Sequence, residues 1–260
     1  MLYLRTAYDG TDFHGWQRQV GELRTVQGVV EDTLRRILRH PVDLVGSSRT
    51  DAGVHAAGHV GHFVTMREVP AEALRQAIGS RLPTDVAVLE VRDVHPEFHA
   101  TRRSVSKFYR YRIHASVDRP VKNFTQRYAY HCWVPLDIMR MQEAGGHFVG
   151  TQDFTSMTPI ASKRENHVRT VFRCDVTQSG DEIHIDIEGD GFLYHQVRNM
   201  VGTLIEVGRG RWEPRYVREI IAARDRRRAG QTAPARGLCL QSVTYPEELM
   251  YPPLQDQSAD

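Results

Sequence analysis

Residues 46–63 read GSSRTDAGVHAAGHVGHF. As a helix, the run would bring His55, His59 and His62 onto one face at H-x3-H-x2-H spacing, an arrangement that can bind zinc. As two strands joined by a loop, it would instead display Arg49 and Asp51 at the loop tip. Gly53, Gly58 and Gly61 disfavour a helix, and HVGHFVT (59–65) has strand character. On a strand, His59 and His62 point to opposite faces. The pattern therefore favours a strand over 42–47 (VDLVGS), a loop through Arg49-Thr50-Asp51-Ala52-Gly53, and a second strand. Ala52 and Gly53 leave room for a substrate to approach the Asp51 carboxylate, although an aspartate in such a loop also serves as a turn former.

Working outward, YLRTAY (3–8) alternates as a strand does. Thr25 is placed to cap a helix whose apolar positions Val26, Val29, Val30, Leu34, Ile37 and Leu38 recur at helical spacing, with Pro41 ending the run. Pro70 suits the first turn of a helix through about Ile78, and VAVLEVR (86–92) is a further strand. The order β-α-β-β-α-β is the split-βαβ pattern. The second half resembles it: a strand at 107–114, a helix opening at Pro135 and running to about His147, and strands at 168–177 and 182–189 around the turn QSGD. Helices from about Phe192 and near Pro214 follow, then a strand at 238–245. The expectation is an α+β protein of two ferredoxin-like halves, residues 1–104 and 105–245, with a tail at 246–260.

The 260 residues are 40% hydrophobic and 25% charged, ordinary globular composition. No apolar run reaches the roughly 18 residues of a membrane span, and MLYLRTAYDG lacks a secretory pattern, so a cytoplasmic location is expected. Cys132, Cys174 and Cys239 are odd in number and widely spaced, which argues against a disulfide framework or a cysteine zinc site. The net charge of +2 decides little, but of 34 basic residues only Lys107, Lys122 and Lys163 are lysines. Arginine's planar fork suits phosphates and base edges. Arginines crowd 224–236 (RDRRRAGQTAPAR), and 102–112 (RRSVSKFYRYR) interleaves cations with Phe108, Tyr109 and Tyr111, a combination that suits an RNA groove. In the helix after Phe192, Leu193, Val197, Met200, Val201, Leu204 and Ile205 form one apolar stripe with Arg198 at its edge. A rim arginine is either solvated or paired with a carboxylate, for which Asp51 is a candidate.

Taken together, YDGTDFHGWQRQ (8–19), TVQGVVEDTL (25–34), SRTDAGVHA (48–56), FHA (98–100), YRY (109–111), DFTS (153–156) and GFLYHQVRNMVGTLIEVGRG (191–210) resemble the A-type tRNA pseudouridine synthase family along nearly the whole chain. The resemblance implies Asp51 as the catalytic residue and Arg49 as the residue that takes the place of a flipped base. It also implies Tyr109 as the stacking platform for the target uracil and Arg198 as the partner of the catalytic carboxylate. It implies that the two halves form one continuous mixed, mainly antiparallel sheet with helices on one face and a basic cleft on the other, in a homodimer without metal or cofactor that acts on uridines 38, 39 and 40 of the tRNA anticodon arm. Uridine and pseudouridine are isomers, so the reaction needs no redox group. Ser48 and Thr101 depart from the family's usual glycine and arginine, and Lys107-Phe108 from its usual basic pair. Two other function classes remain on the residues alone: a catalytically silent tRNA-binding protein, and a metal-dependent hydrolase using the histidine run.

Overall fold

The computed structural model describes residues 1–117, 126–161 and 164–252, so the end of the expected tail, 253–260, lies outside the described residues. The chain is α+β and divides into two compact units. One comprises Met1–Ala52, Ala56–Val105 and the segment from Val243, and the other comprises Gly53–His55 and Ser106–Ser242.

In the first unit, β1 (Leu2–Tyr8) lies between β3 (His55–Phe63) and β4 (Val86–Asp93), antiparallel to both, and the short β2 (Val45–Gly46) pairs with β3. Helix α1 (Val26–Leu38) starts where the sequence predicts: the Thr25 hydroxyl accepts the Gly28 N–H at 3.3 Å. Its buried stripe of Val26, Val30, Leu34 and Leu38 and the buried Leu74 and Ile78 of α2 (Ala71–Gly79) contribute to the core with Leu4 and Leu44. The strand expected over 42–47 is reduced to β2. Leu44 is the reason: its N–H donates to the buried Glu31 carboxylate at 3.0 Å, and its carbonyl accepts from Gln27 at 2.9 Å. Its backbone polar groups are thus satisfied by helix side chains rather than by a neighbouring strand. Within the expected tail, Leu249 is buried in a cluster with Tyr3, Val60, Val94, Phe98, Ala100 and Tyr245.

In the second unit the strand order is β10 (Leu238–Thr244), β5 (Ser106–Ala115), β9 (Glu182–Gly189), β8 (Val168–Ser179), β7 (Gly150–Asp153), with β6 (Tyr130–Cys132) parallel to β5. The β8–β9 hairpin turns at Gly180, whose φ of +57° suits a residue without a Cβ. Tyr109, Tyr111 and Ile113 of β5 and Ile183, Ile185 and Ile187 of β9 are buried. The intervening positions carry charge: Arg110 grips Asp186 with two 2.7 Å bonds, and Arg112 bonds Glu182 at 2.6 Å.

Three helices start later than their sequence signals. Helix α3 (Ile138–Gly146) begins after Asp137, whose side chain accepts the Arg140 N–H at 3.0 Å, rather than at Pro135. Helix α5 (Tyr216–Ala223) begins two residues after Pro214. Helix α4 (Gln196–Gly208) begins four residues after Phe192, because His195 has φ of +61° and the Gln196 side chain turns back to accept the Leu193 N–H at 2.8 Å. A left-handed residue cannot continue a right-handed helix.

Candidate active site

Arg49 and Asp51 lie in the loop between β2 and β3, Arg49 exposed and Asp51 half-buried. The backbone around them is braced from several sides. Ser47 donates its N–H to Val60 O at 2.8 Å, and Trp16 donates its N–H to Thr50 O at 3.0 Å. The Tyr8 and Thr50 hydroxyls bond at 2.8 Å, and His59 Nε2 bonds Ser48 O at 2.9 Å. This explains the long run 8–19. Gly15, with φ of +90°, lies so near the loop that a Cβ there would stand 2.8 Å from Thr50 O and 3.3 Å from Ala52 N. Trp16 is buried and stacked on His59, and Gly46 leaves the space its indole fills. Asp9 anchors the turn by accepting both the N–H and the hydroxyl of Thr11, at 3.0 and 2.6 Å. Arg24 lies over the Phe13 ring at 4.0 Å while forking onto Asp85. The braces reach the loop through main-chain atoms and Thr50, so the Arg49 and Asp51 side chains are presented from a fixed frame.

The histidines of the run serve separate structural purposes. His59 stacks on Trp16, His62 accepts the Ala100 N–H at 3.2 Å, and His55 meets the edge of Tyr128. Burial, reinforced by the neighbouring His99, pushes the His62 imidazole down to about 4. Among the described residues, no group of three or more histidine, cysteine, aspartate or glutamate side chains is arranged to hold a metal ion. Among the described residues, no helix is long and apolar enough to cross a membrane.

Tyr109 and Arg198 belong to the second unit. Tyr109 is buried on β5 opposite Ile187, and Phe192 meets its ring edge-on at 5.5 Å and 85°. Phe192 lies close over Gly189, where a Cβ would stand 3.1 Å from its ring. Arg198, on the first turns of α4, donates from Nε to Ala233 O at 2.7 Å, while Ala233 N–H returns to Arg198 O at 3.1 Å. The segment 230–237 that supplies this acceptor is itself fixed. Tyr111 OH donates to Pro234 O at 2.8 Å, and Gly230 N–H donates to Thr203 at 3.1 Å. Asn199, fully buried, donates to Met157 O and accepts from Arg226 and Thr232. Gly202 leaves space for the Gln231 carbonyl against the helix. Gly53, two residues after Asp51, has φ of +78° and would bring a Cβ within 3.3 Å of the Ala235 side chain.

These relations account for motif residues that the sequence left without a task. In DFTS, the Asp153 side chain accepts from the Thr155 N–H and hydroxyl and pairs with Arg224, and Ser156 donates to Ile220 O at 2.6 Å. Phe192, Asn199 and Trp16 are the residues whose importance sequence reasoning missed. Each lies inside a quoted motif, and that was the available signal. Part of the arginine excess is engaged within the fold, since Arg224, Arg226 and Arg227 meet Asp153, Asn199 and Asp225 respectively. At the positions that depart from the family pattern, Thr101 donates to Gly46 O at 2.7 Å and Ser48 supplies the carbonyl that His59 bonds.

The family model described as tRNA pseudouridine synthase matches residues 5–101 and 144–246. A tRNA pseudouridine synthase A of Brevibacillus brevis is 45% identical over 240 residues, covering 92% of this chain and 97% of its own. The protein of the same name from Moorella thermoacetica is 44% identical over 245 residues, covering 94% and 99%. That of Exiguobacterium sp. is 43% identical over 244 residues, covering 94% and 97%. Together with the braced RTDAGVHA loop, these matches show that the chain belongs to the tRNA pseudouridine synthase family and is an isomerase.

Proposed function

We propose that the protein converts uridines 38, 39 and 40 of the tRNA anticodon arm to pseudouridine, as a cytoplasmic homodimer. Asp51 is the carboxylate that acts at the sugar–base junction. Cleavage of the N-glycosidic bond, rotation of the uracil and formation of the C5–C1′ bond leave the atom count unchanged, and the C5 proton is exchanged with solvent at the end. Tyr109 holds the detached uracil flat, which keeps the fragments together while the base turns. Arg198 pairs with Asp51 and favours its charged form where water is excluded. A uridine within a stem must leave the stack at a cost of a few kcal/mol, and Arg49 fills the gap it leaves.

The observation that supports this most is the bracing of the Asp51 loop. Thr50 is held at both its carbonyl and its hydroxyl, by Trp16 and Tyr8, so a single carboxylate is displayed on rigid backbone. Catalysis requires groups positioned within a fraction of an ångström, and second-shell support of this kind provides it. The test is tritium release from tRNA labelled at uracil C5, combined with mapping of pseudouridine in the treated tRNA. Release with modification at 38–40 is expected, with or without a chelator. No release from bound tRNA would favour a silent binding protein, and release lost on chelation would favour metal-dependent chemistry.

A further inference from the structure

A group of cations in the second unit includes one, Lys107, on the strand that carries Tyr109. Lys107 precedes Tyr109 by two residues on β5, so both project from the same face of the strand, about 7 Å apart along it. Opposite Lys107 on β9 is Gly189, which also faces Val171 on β8. This register brings the start of β8 alongside, and with it Arg169. The charges that act on Lys107 are the guanidiniums of Arg164 and Arg169 and the carboxylate of Asp190. Arg169 feels the same Arg164 and Asp190. Asp190 is fixed to β8 by its Oδ1, which accepts the Thr170 N–H at 3.0 Å, and by its own N–H, which donates to Thr170 O at 3.0 Å. Arg169 is turned along its own strand and donates from Nη1 to Val168 O and Asn166 O.

The cluster therefore gathers three cations and one carboxylate. Lys107 is removed from water far enough that its ammonium is pushed down to about 8, burial being the first cause and repulsion from Arg164 and Arg169 the next. Burial also lowers the Arg169 guanidinium. Like charges gathered in a partly desolvated place repel each other, and a bound anion relieves that repulsion. We propose that Lys107, Arg164 and Arg169 form an anion site that holds an RNA backbone phosphate next to the nucleotide received by Tyr109. The inference rests on the pseudouridine-synthase function proposed above and deepens it by fixing the strand beside the target. A base cannot turn productively against Tyr109 unless its flanking backbone is held, and a phosphate gripped one strand position away supplies that hold. Arg164 and Arg169 suit the phosphate as planar forks, and Lys107 suits it as a point charge.

The test measures tRNA affinity of the full-length protein across a range of salt, with Lys107→Ala, Lys107→Arg and Arg169→Gln compared with wild type. Circular dichroism and thermal melting check that each folds. Loss of one phosphate contact should lower the slope of log affinity against log salt by about 0.7 to 0.9 and weaken binding roughly tenfold at low salt. Lys107→Arg should restore both. Unchanged slopes in Lys107→Ala and Arg169→Gln would overturn the site, and Arg169→Gln decides alone if Lys107→Ala does not fold. Because the chain has three lysines, the Lys107 Nζ resonance can be followed directly. It should move on adding an anticodon-arm RNA, and with inorganic phosphate only at much higher concentration. A response to inorganic phosphate without one to RNA would assign a free-anion site and overturn the RNA assignment. Tritium release by wild type alongside unaltered variant slopes would overturn this site and leave the proposed activity standing. A wild type that neither binds tRNA nor releases tritium would overturn both.

Discussion

Trp16 and His59 stack nearly flat, with ring centroids 3.6 Å apart at 24°. The pair links two segments of the first unit that separately touch the Asp51 loop: the Trp16 N–H bonds Thr50 O, and the His59 imidazole bonds Ser48 O. Removing either ring should disturb the loop from beneath without altering any group proposed to touch RNA. His59→Gln is expected to fold and bind tRNA with near wild-type affinity, but to turn over roughly a hundredfold more slowly, the cost of a carboxylate misplaced by about 1 Å. Trp16→Ala, which empties a fully buried site, should in addition lose about 3 to 5 kcal/mol of stability. Single-turnover tritium release with saturating protein separates the two effects. Loss of affinity with an intact rate would mean that the stack supports RNA binding instead.

Stability should fall on mild acidification through His62. Its Nδ1 accepts the Ala100 N–H, which requires a neutral ring, and the Val45 backbone bonds the ring as well. Burial holds the imidazole at about 4, below its ordinary 6.5, with His99 adding to the effect. The unfolded chain therefore takes up this proton before the folded chain does. Above about pH 6.5 the group is neutral in both states and costs nothing. As pH falls from 6.5 through 4, stability is lost, with a full effect on the order of 3 kcal/mol. Urea unfolding at several pH values checks this, and His62→Gln, which can still accept the Ala100 N–H, should flatten the slope over that window. An identical slope in the variant would assign the pH dependence to other groups, such as His99 and His147, whose protonation is also disfavoured.

How far the sequence carries can be judged from particular residues. Helix α1 with its Thr25 cap and the β8–β9 hairpin with Gly180 were legible, because a period or a special backbone angle leaves a local trace. The late start of α4 was not, since the left-handed His195 and the returning Gln196 side chain have no such trace in YHQVRN. Strands β6 and β7, of three and four residues, are too short for alternation to show. The residues proposed for catalysis rest on motif identity rather than on periodicity. What motif identity did not convey was the support beneath them: Glu31 on Leu44, Gly15 under Thr50, Asn199 between Met157 and Arg226. Those contacts join positions far apart in sequence, and strand register or helix packing decides them. The Lys107, Arg164 and Arg169 grouping is of the same kind, set by the β5–β9–β8 register.

Substitutions at the proposed catalytic residues should separate chemistry from binding. Asp51→Asn keeps the shape of the side chain and removes the charge, so it should bind tRNA as wild type does and release no tritium. Appreciable turnover would withdraw Asp51 from the mechanism. Tyr109→Phe keeps the ring that meets Phe192 and should retain affinity. A stall in tritium release from it would give the hydroxyl a part in removing the C5 proton, and full activity would restrict Tyr109 to stacking. Arg198→Leu leaves the proposed carboxylate partner unpaired once bound RNA excludes water from it, a loss on the order of 3 kcal/mol, so turnover should fall roughly a hundredfold while tRNA affinity changes little. The opposite pattern, weakened affinity with intact turnover, would make Arg198 a phosphate contact.

Gly202 offers a test of whether Arg198 acts from a fixed frame. A Cβ at this position would run into the Gln231 carbonyl, and backbone on both sides leaves little room to yield. Gly202→Ala should therefore push the 230–233 segment away from α4 and carry the Ala233 carbonyl away from Arg198 Nε. Overpacking of this kind costs about 1 to 3 kcal/mol, which the higher helix propensity of alanine offsets by less than about 1 kcal/mol, so Tm should drop. If the frame positions Arg198, turnover at a temperature where the variant is fully folded should also fall while tRNA affinity holds. Asn199→Ala provides a second route to the same segment, since it removes the acceptor shared by Arg226 and Thr232 without adding bulk. Lower Tm with unchanged turnover in both variants would limit the segment to a stabilising role and leave Arg198 oriented by other means.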